Sequence, residues 1–408
     1  MVLFWGNEMV EPSKIKTLFP LSDDSPVILP SLCFGKRHKD IKCVRCLKNC
    51  PPEAIRWSGS LGTPQIDWEK CTDCSICLSL CPTYAFESQK EETPLLLKEI
   101  EKSLTSSKEI GWACSSYLRD EGYSYPSVIE VSCLARADES ILAATVARGA
   151  KKVWLNRKTC AACKFSAGEK VAFKSVKRAN RLLSLFGQNP VEFCIDFPPK
   201  VKRKPLKYGT KPRGENLSRR DFFKQLREGP PESTLRTAQK NEETLSLKAL
   251  VRTSKVPPSR RLLLDSLKEL GRPNPVTANA RGLPFGVVEI DEKCDFCELC
   301  VLLCPTAALI KEGGDSGGES GIYFRAAHCT KCGLCQKACP KRAVHFGSEV
   351  HLEEVLTEGK ILLKDIPKKI CNQCGDTLLS SEKSDLCSLC RRDEELDLEL
   401  SPAHIRSP

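Results

Sequence analysis

The chain has 408 residues, 25 of them cysteine, and a formal net charge of +11; that length exceeds one small core and implies several domains. Cysteine at this density is expected in a short secreted disulfide scaffold behind an export signal, whereas the opening MVLFWGNEMVEP has no basic n-region and breaks its apolar run at Gly6 and Asn7. The charge surplus is confined to residues 199–261, where 18 Lys and Arg stand against 6 Asp and Glu, a profile that argues against a nucleic-acid-binding surface spread over the protein. No apolar stretch approaches the roughly 20 residues of a membrane span. The expectation is a cytoplasmic protein that binds no nucleic acid, does not span a membrane, and holds its thiolates on metals.

In chain order, residues 1–92 carry eight cysteines. CTDCSICLSLCP, from Cys71 to Pro82, follows a looser version of itself, CFGKRHKDIKCVRCLKNCP, which begins at Cys33. Residues 93–198 alternate apolar and amphipathic runs. TPLLLKEIEKSL reads as a helix with Thr93 as cap, Pro94 in its first turn, and Leu96, Ile100 and Leu104 on one face. EIGWACSS and SVIEVSCLA read as strands ending in cysteine; DESILAATVARGA reads as a helix capped by Asp138 and stopped at Gly149. KKVWLN is a third strand, SAGEKVAFKSVKRANRLLSLFG a long helix, and VEFCIDF a fourth strand. This alternation predicts a parallel sheet covered by helices, with chemistry at the carboxyl ends of its strands. Cys114, Cys133, Cys160 and Cys163 fall there, while Cys194, inside an apolar strand, reads as a core residue.

Residues 199–285 are basic and punctuated by proline, and read as an extended linker with short helices. SRRDFF within it has the letters of a twin-arginine signal, but it lies mid-chain before REGPPES and is taken as a helix with Ser218 as N-cap. In residues 286–350 the tight cysteine spacing returns twice, as CDFCELCVLLCP from Cys294 and CTKCGLCQKACP from Cys329. Residues 351–408 add CNQC at Cys371 and CSLC at Cys387, twelve residues apart, followed by an acidic tail.

Cysteines at i, i+3 and i+6 bring three thiolates to one corner, each able to take one iron of a cubane. The fourth, before proline, ligates the other cluster of a two-cluster protein. Three copies of that spacing favour iron over zinc. Cys371, Cys374, Cys387 and Cys390 instead match the two-knuckle template of one structural zinc, although a single rubredoxin-like iron would use the same ligands. The fold class expected is α+β multidomain: two ferredoxin-like modules, a central α/β parallel-sheet domain and a C-terminal zinc-ribbon-like knuckle. There is no GxGxxG after a strand, no Walker loop and no GxSxG elbow. Of five histidines, only His328, beside Cys329, is placed to tune a cluster.

On these motifs both ends resemble bacterial-type ferredoxin modules with two 4Fe-4S clusters each. The resemblance implies that Cys294, Cys297, Cys300 and Cys339 hold one cluster, and Cys329, Cys332, Cys335 and Cys304 the next. In the N-terminal module it implies Cys71, Cys74 and Cys77 with Cys50, and Cys43, Cys46 and Cys81 with Cys33. FGKRHKDIK stands between Cys33 and Cys43 where the pattern has two residues, which leaves a three-iron cluster or a different fourth ligand open. The middle region, through WACSSY, VSCLARADES and CAACKF, resembles the delta (iron-sulfur) subunit of methyl-viologen-reducing hydrogenases, which passes electrons to heterodisulfide reductase. That resemblance implies one 2Fe-2S cluster on Cys114, Cys133, Cys160 and Cys163; a Cys160–Cys163 redox dithiol and plain buried thiols are the competing readings. The whole is similar to a polyferredoxin, a non-catalytic subunit relaying electrons in an anaerobic complex with a hydrogenase, heterodisulfide-reductase-like or flavoprotein partner. A thiol/disulfide reductase and an assembly factor for another metalloenzyme are the alternatives.

Overall fold

The computed structural model describes residues 3–5, 8–10, 26–37, 43–57, 64–88, 92–121, 123–197, 204–205, 256–312, 321–365, 368–375, 377–379, 385–386 and 390. The chain forms two units, one of Met1–Thr253 with Pro257–Arg272 and one of Ser254–Val256 with Pro273–Pro408.

The first unit begins with a module of very short elements. Strands β1 (Val27–Ile28) and β2 (Ile55–Trp57) pair antiparallel with β4 (Phe86–Glu87) and β3 (Pro64–Ile66), respectively. Single-turn helices α1 (Arg45–Lys48) and α2 (Ile76–Leu80) lie between them in sequence. Two- and three-residue strands bury little on their own. The core here is a handful of side chains, Cys46, Ile55, Leu78 and Phe86, with Cys50, Cys77 and Cys81 packed against them. Thiols thus occupy positions that a larger domain would fill with leucine.

The central region is built differently. Helix α3 (Thr93–Leu104) buries Leu96, Ile100 and Leu104, the stripe expected from the sequence. Its cap differs from the expectation: Glu92 is the N-cap residue and Thr93 begins the helix, its hydroxyl accepting a 2.9 Å hydrogen bond from Arg136 Nη2. Strands β5 (Glu109–Cys114), β6 (Val128–Val131), β7 (Lys152–Asn156) and β8 (Val191–Cys194) form a parallel sheet in the order β8-β7-β5-β6. Helix α4 (Ser115–Glu121) follows β5 directly. Asp138 caps helix α5 (Glu139–Ala147), accepting from the Ser140 and Ile141 amides at 2.9 and 3.1 Å. Gly149 follows with φ +100°, a left-handed conformation in which glycine avoids the Cβ clash. Helix α6 (Ala167–Leu185) packs Ala172, Val176, Ala179 and Leu183 into one core with Ile110, Trp112, Ile129 and Leu155.

Residues 139–146 of α5 are buried all round, a pattern requiring cover on both sides. The second cover is α7 (Pro258–Leu270), which packs on α5 and contributes Leu263, Leu264 and Leu267 at 0% exposure. This helix lies in the stretch read from sequence as linker. SRRDFF and the acidic tail lie outside the described residues.

The second unit repeats the small-element design. Strands β9 (Thr277–Asn279) and β10 (Val288–Ile290) pair antiparallel with β14 (Glu349–His351) and β13 (Val344–Phe346). Strands β11 (Leu309–Glu312), β12 (Gly321–Phe324) and β15 (Ile361–Asp365) form an antiparallel sheet with β12 in the middle. Helices α8 (Leu299–Leu303), α9 (Leu334–Ala338) and α10 (Leu352–Thr357) are each one or two turns. A last hairpin, β16 (Lys368–Ile370) with β17 (Thr377–Leu379), encloses Cys371 to Cys374. No helix among the described residues is long and apolar enough to cross a membrane.

Candidate metal centres

The cysteines of each ferredoxin-like segment converge in fours. Cys33, Cys43, Cys46 and Cys81 line one cavity together with Phe34 and Phe86. Cys33 reaches it from a 3-10 turn at Pro30–Leu32, although nine residues separate it from Cys43. Cys50, Cys71, Cys74 and Cys77 line a second cavity, walled by Ile55, Ile66 and Ile76. In the second unit Cys304, Cys329, Cys332 and Cys335 line a third cavity. Cys294, Cys297, Cys300 and Cys339 lie close enough for charge on the other three to raise the Cys300 thiol.

Electrostatics carries the same grouping. Burial, then Cys81, Cys43 and Cys33, pushes the Cys46 thiol up to about 12. Burial also moves Cys300 and Cys332 to about 12, with Cys294 and Cys304 the next contributors, respectively. Cys77 is raised well above the thiol range by burial, then by Cys74 and Cys71. Thiols crowded in this way ionise only when a cation compensates them, which is the condition a metal supplies. Four converging thiols around a cavity with apolar walls fit an iron-sulfur cluster.

The backbone is shaped to the same end. Of the ten non-glycine residues with positive φ among those described, nine belong to the cysteine motifs. Asp73 and Ser75, Phe296 and Glu298, and Lys331 stand between cysteines, with Gly333 completing the third pair. Glu53, Tyr84, Ala307 and Arg342 stand three residues after Cys50, Cys81, Cys304 and Cys339. Left-handed residues at alternate positions turn successive amides toward one concavity, a nest for a negative group. The residue after each of the last four is alanine, Ala54, Ala85, Ala308 or Ala343, and each is at most 2% exposed. The amides of Ala85, Ala308 and Ala343 each donate to the sulfur of the preceding cysteine at 3.3 Å. Sequence reasoning stopped at the proline; the recurring C-P-x-x-A was the available signal. Gly286 is a second residue it missed, since a Cβ there would stand 2.8 Å from Cys329 Sγ. His328 is buried with Nε2 3.3 Å from Glu358 Oε2, and burial pulls its pKa below the usual value.

The central sheet gathers its cysteines at one edge. Cys114 ends β5, Cys133 lies two residues beyond β6, and Cys160 and Cys163 occupy the turn after β7. Burial, then charge on Cys74, Cys160 and Cys114, raises Cys133 to about 12 against one backbone hydrogen bond from Ala135. Burial, then Cys114, Glu169 and Cys163, raises Cys160 to about 12. The Tyr117 amide approaches Cys114 Sγ at 3.5 Å, and that of Phe165 approaches Cys163 Sγ at 3.3 Å. Cys194 ends β8 and packs beside Cys114 and Trp154; burial, then Asp196 and Glu192, raises it to about 11, with no thiol contributing.

Among the described residues Cys371, Cys374 and Cys390 bring three ligand atoms within 4.8 Å of one another. That spacing suits one tetrahedral ion with metal–sulfur bonds of about 2.3 Å. Cys387 lies outside the described residues.

A family model for the 4Fe-4S dicluster domain matches residues 41–85 and 293–343, and one for the methyl-viologen-reducing hydrogenase delta subunit matches residues 113–202. Cys33 and α7 lie outside these matches. The chain is 43% identical over 58 residues to the pyruvate synthase protein PorD of Thermotoga maritima, covering 14% of this chain and 54% of that protein. It is 47% identical over 47 residues to a component of the ion-translocating oxidoreductase complex of Methanosarcina acetivorans, covering 12% and 17%, and 35% identical over 54 residues to a ferredoxin of Pyrobaculum islandicum, covering 13% and 50%. The chain therefore spans about half or less of the length of these relatives. It carries 4Fe-4S dicluster domains at both ends of a domain belonging to the methyl-viologen-reducing hydrogenase delta-subunit family, an arrangement of polyferredoxin type.

Proposed function

We propose that the chain is an electron-transfer subunit that relays single electrons to or from a hydrogenase, heterodisulfide-reductase-like or flavoprotein partner. The observation that carries this reading is the convergence of four thiol quartets, each completed by a cysteine from the neighbouring motif, three of them around apolar-walled cavities. On this reading the quartets hold four 4Fe-4S clusters, the central quartet one 2Fe-2S cluster, and Cys371, Cys374, Cys387 and Cys390 one zinc.

Clusters of this kind supply reversible one-electron chemistry. The protein's part is to bind, to exclude water and to set potential. Ile55, Ile66 and Ile76 keep water from one quartet, and the amides of Ala85, Ala308 and Ala343 stabilise negative charge on sulfur, favouring the reduced state. The dithiol reading is less favoured. Cys160 and Cys163 precede α6 by several residues instead of capping it, and burial with Glu169 nearby opposes the thiolate such chemistry requires.

Metal and sulfide analysis of anaerobically purified protein, with a redox titration followed by electron paramagnetic resonance, tests the reading. About sixteen irons in cubane form, two more in a 2Fe-2S centre and one zinc are expected. A colourless protein holding mainly zinc refutes it.

A further inference from the structure

The N-terminal quartet of Cys50, Cys71, Cys74 and Cys77 and the central quartet meet inside the first unit. Helix α2, between Cys74 and Cys81, packs against α6 and against the 3-10 turn that follows Cys133. Ile76, Ala135 and Val171 form one buried cluster, with Cys74 and Cys133 both packed on it. Ser79 Oγ donates to the Ala135 carbonyl across this junction.

Gly168 sits at the centre of the junction. It is buried in the first turn of α6, and its φ is not in the left-handed region. Glycine in a helix is less favourable than alanine by roughly 0.5–1 kcal/mol, so backbone conformation gives no reason for it. Space does: a Cβ would stand 2.5 Å from Cys133 Sγ and 3.4 Å from Ile76 Cδ1.

We infer that Gly168 is a positioning residue, holding Cys133 against α2 so that the central quartet and the Cys50/Cys71/Cys74/Cys77 quartet are adjacent stations for an electron. The inference rests on the functional reading above. The step moves one electron from the reduced station to the oxidised one; no bond is made or broken, no proton is transferred, and the partner protein supplies or removes the electron.

The test uses the anaerobically purified full chain, reduced stepwise with dithionite. Electron paramagnetic resonance of the wild type is expected to show magnetic interaction between the two centres. Gly168→Ala is expected to keep its iron while that interaction is weakened or lost, a readout that a merely structural glycine leaves unmoved. Ser79→Ala, which removes the hydrogen bond to the Ala135 carbonyl, is expected to weaken it in the same direction and serves if Gly168→Ala fails to fold. Non-interacting centres in the wild type, or unchanged spectra in the variants, overturn the inference while leaving the relay standing. If Cys114→Ala leaves iron content and spectra unchanged, the central centre itself is absent; the reading fails and the inference falls with it.

Discussion

Leu267→Ala tests whether α7 belongs to the central domain. Leu267 is fully buried, as are Leu263 and Leu264, in a helix that packs against α5. Truncating such a leucine costs about 2–5 kcal/mol, the transfer loss plus the cavity left behind. A 13-residue helix is marginal by itself in water, so docking is what keeps α7 folded. At about 1.4 kcal/mol per tenfold change, the opening equilibrium of α7 should rise roughly thirtyfold to several thousandfold. Native-state hydrogen exchange resolved by mass spectrometry reads this directly: residues 258–270 should lose protection well ahead of β5 and β7, with cluster absorbance retained. Equal exchange of α7 in wild type and variant, or unprotected exchange in both, refutes the packing argument and returns the segment to the linker.

Glu139→Gln addresses pH. Burial, partly offset by Arg178, raises the Glu139 pKa above the ordinary carboxylate value. The folded state therefore binds this proton more tightly than the unfolded state, and stability falls as pH rises from the unfolded value through the folded one. Relative to Glu139→Gln, the wild type should lose stability across that window in denaturant titrations; parallel curves would falsify the assignment. Gly286→Ala places a Cβ 2.8 Å from Cys329 Sγ and 3.1 Å from Phe346 Cε1. It should cost about 1–3 kcal/mol by overpacking and lower the iron content of the C-terminal module, whereas unchanged iron and stability would show that the sulfur can move aside. Cys33→Ala should convert one cubane to a three-iron signal while Cys194→Ala leaves iron unchanged; the reverse result would reassign the fourth ligand. A zinc-specific chelator should remove one metal equivalent without bleaching the iron-sulfur absorbance, and concurrent bleaching would place iron at Cys371 and its neighbours.

The central sheet was legible because its signals are local. Apolar strands, the Asp138 cap and the cysteines after β5, β6 and β7 follow from residue order, and a parallel sheet sends every strand's carboxyl end to the same edge. Thr93 reads as a cap because threonine suits the cap position and the first turn alike, and only the Arg136 contact distinguishes them. Helix α7 was hidden by composition. Pro257 and Pro258 look like breakers but suit a helix start, and the basic stretch drew attention from the stripe of Leu263, Leu264 and Leu267. The spacing of the ferredoxin cysteines announced clusters, yet spacing says nothing of what lies beside a sulfur. The alanine amides, Gly286 and the meeting of Cys74 with Cys133 are tertiary facts.

Two kinds of stability therefore coexist in the first unit. The sheet of β5 to β8 buries tryptophan, leucine and isoleucine and needs no metal to justify its packing. Among the described residues, one core cluster of the N-terminal module buries four side chains, one of them a cysteine, and its strands are two or three residues long. Domains of that size usually need a metal or a disulfide to stay folded, so cluster loading and folding should be one event there. The junction at Ile76, Ala135 and Val171 joins the two kinds. A module whose shape depends on its own cofactor is braced against a sheet that does not, and of the two cysteines packed on the brace, Cys74 and Cys133, the second belongs to the rigid side. That arrangement fixes the distance across which an electron would pass even where the module itself is pliant.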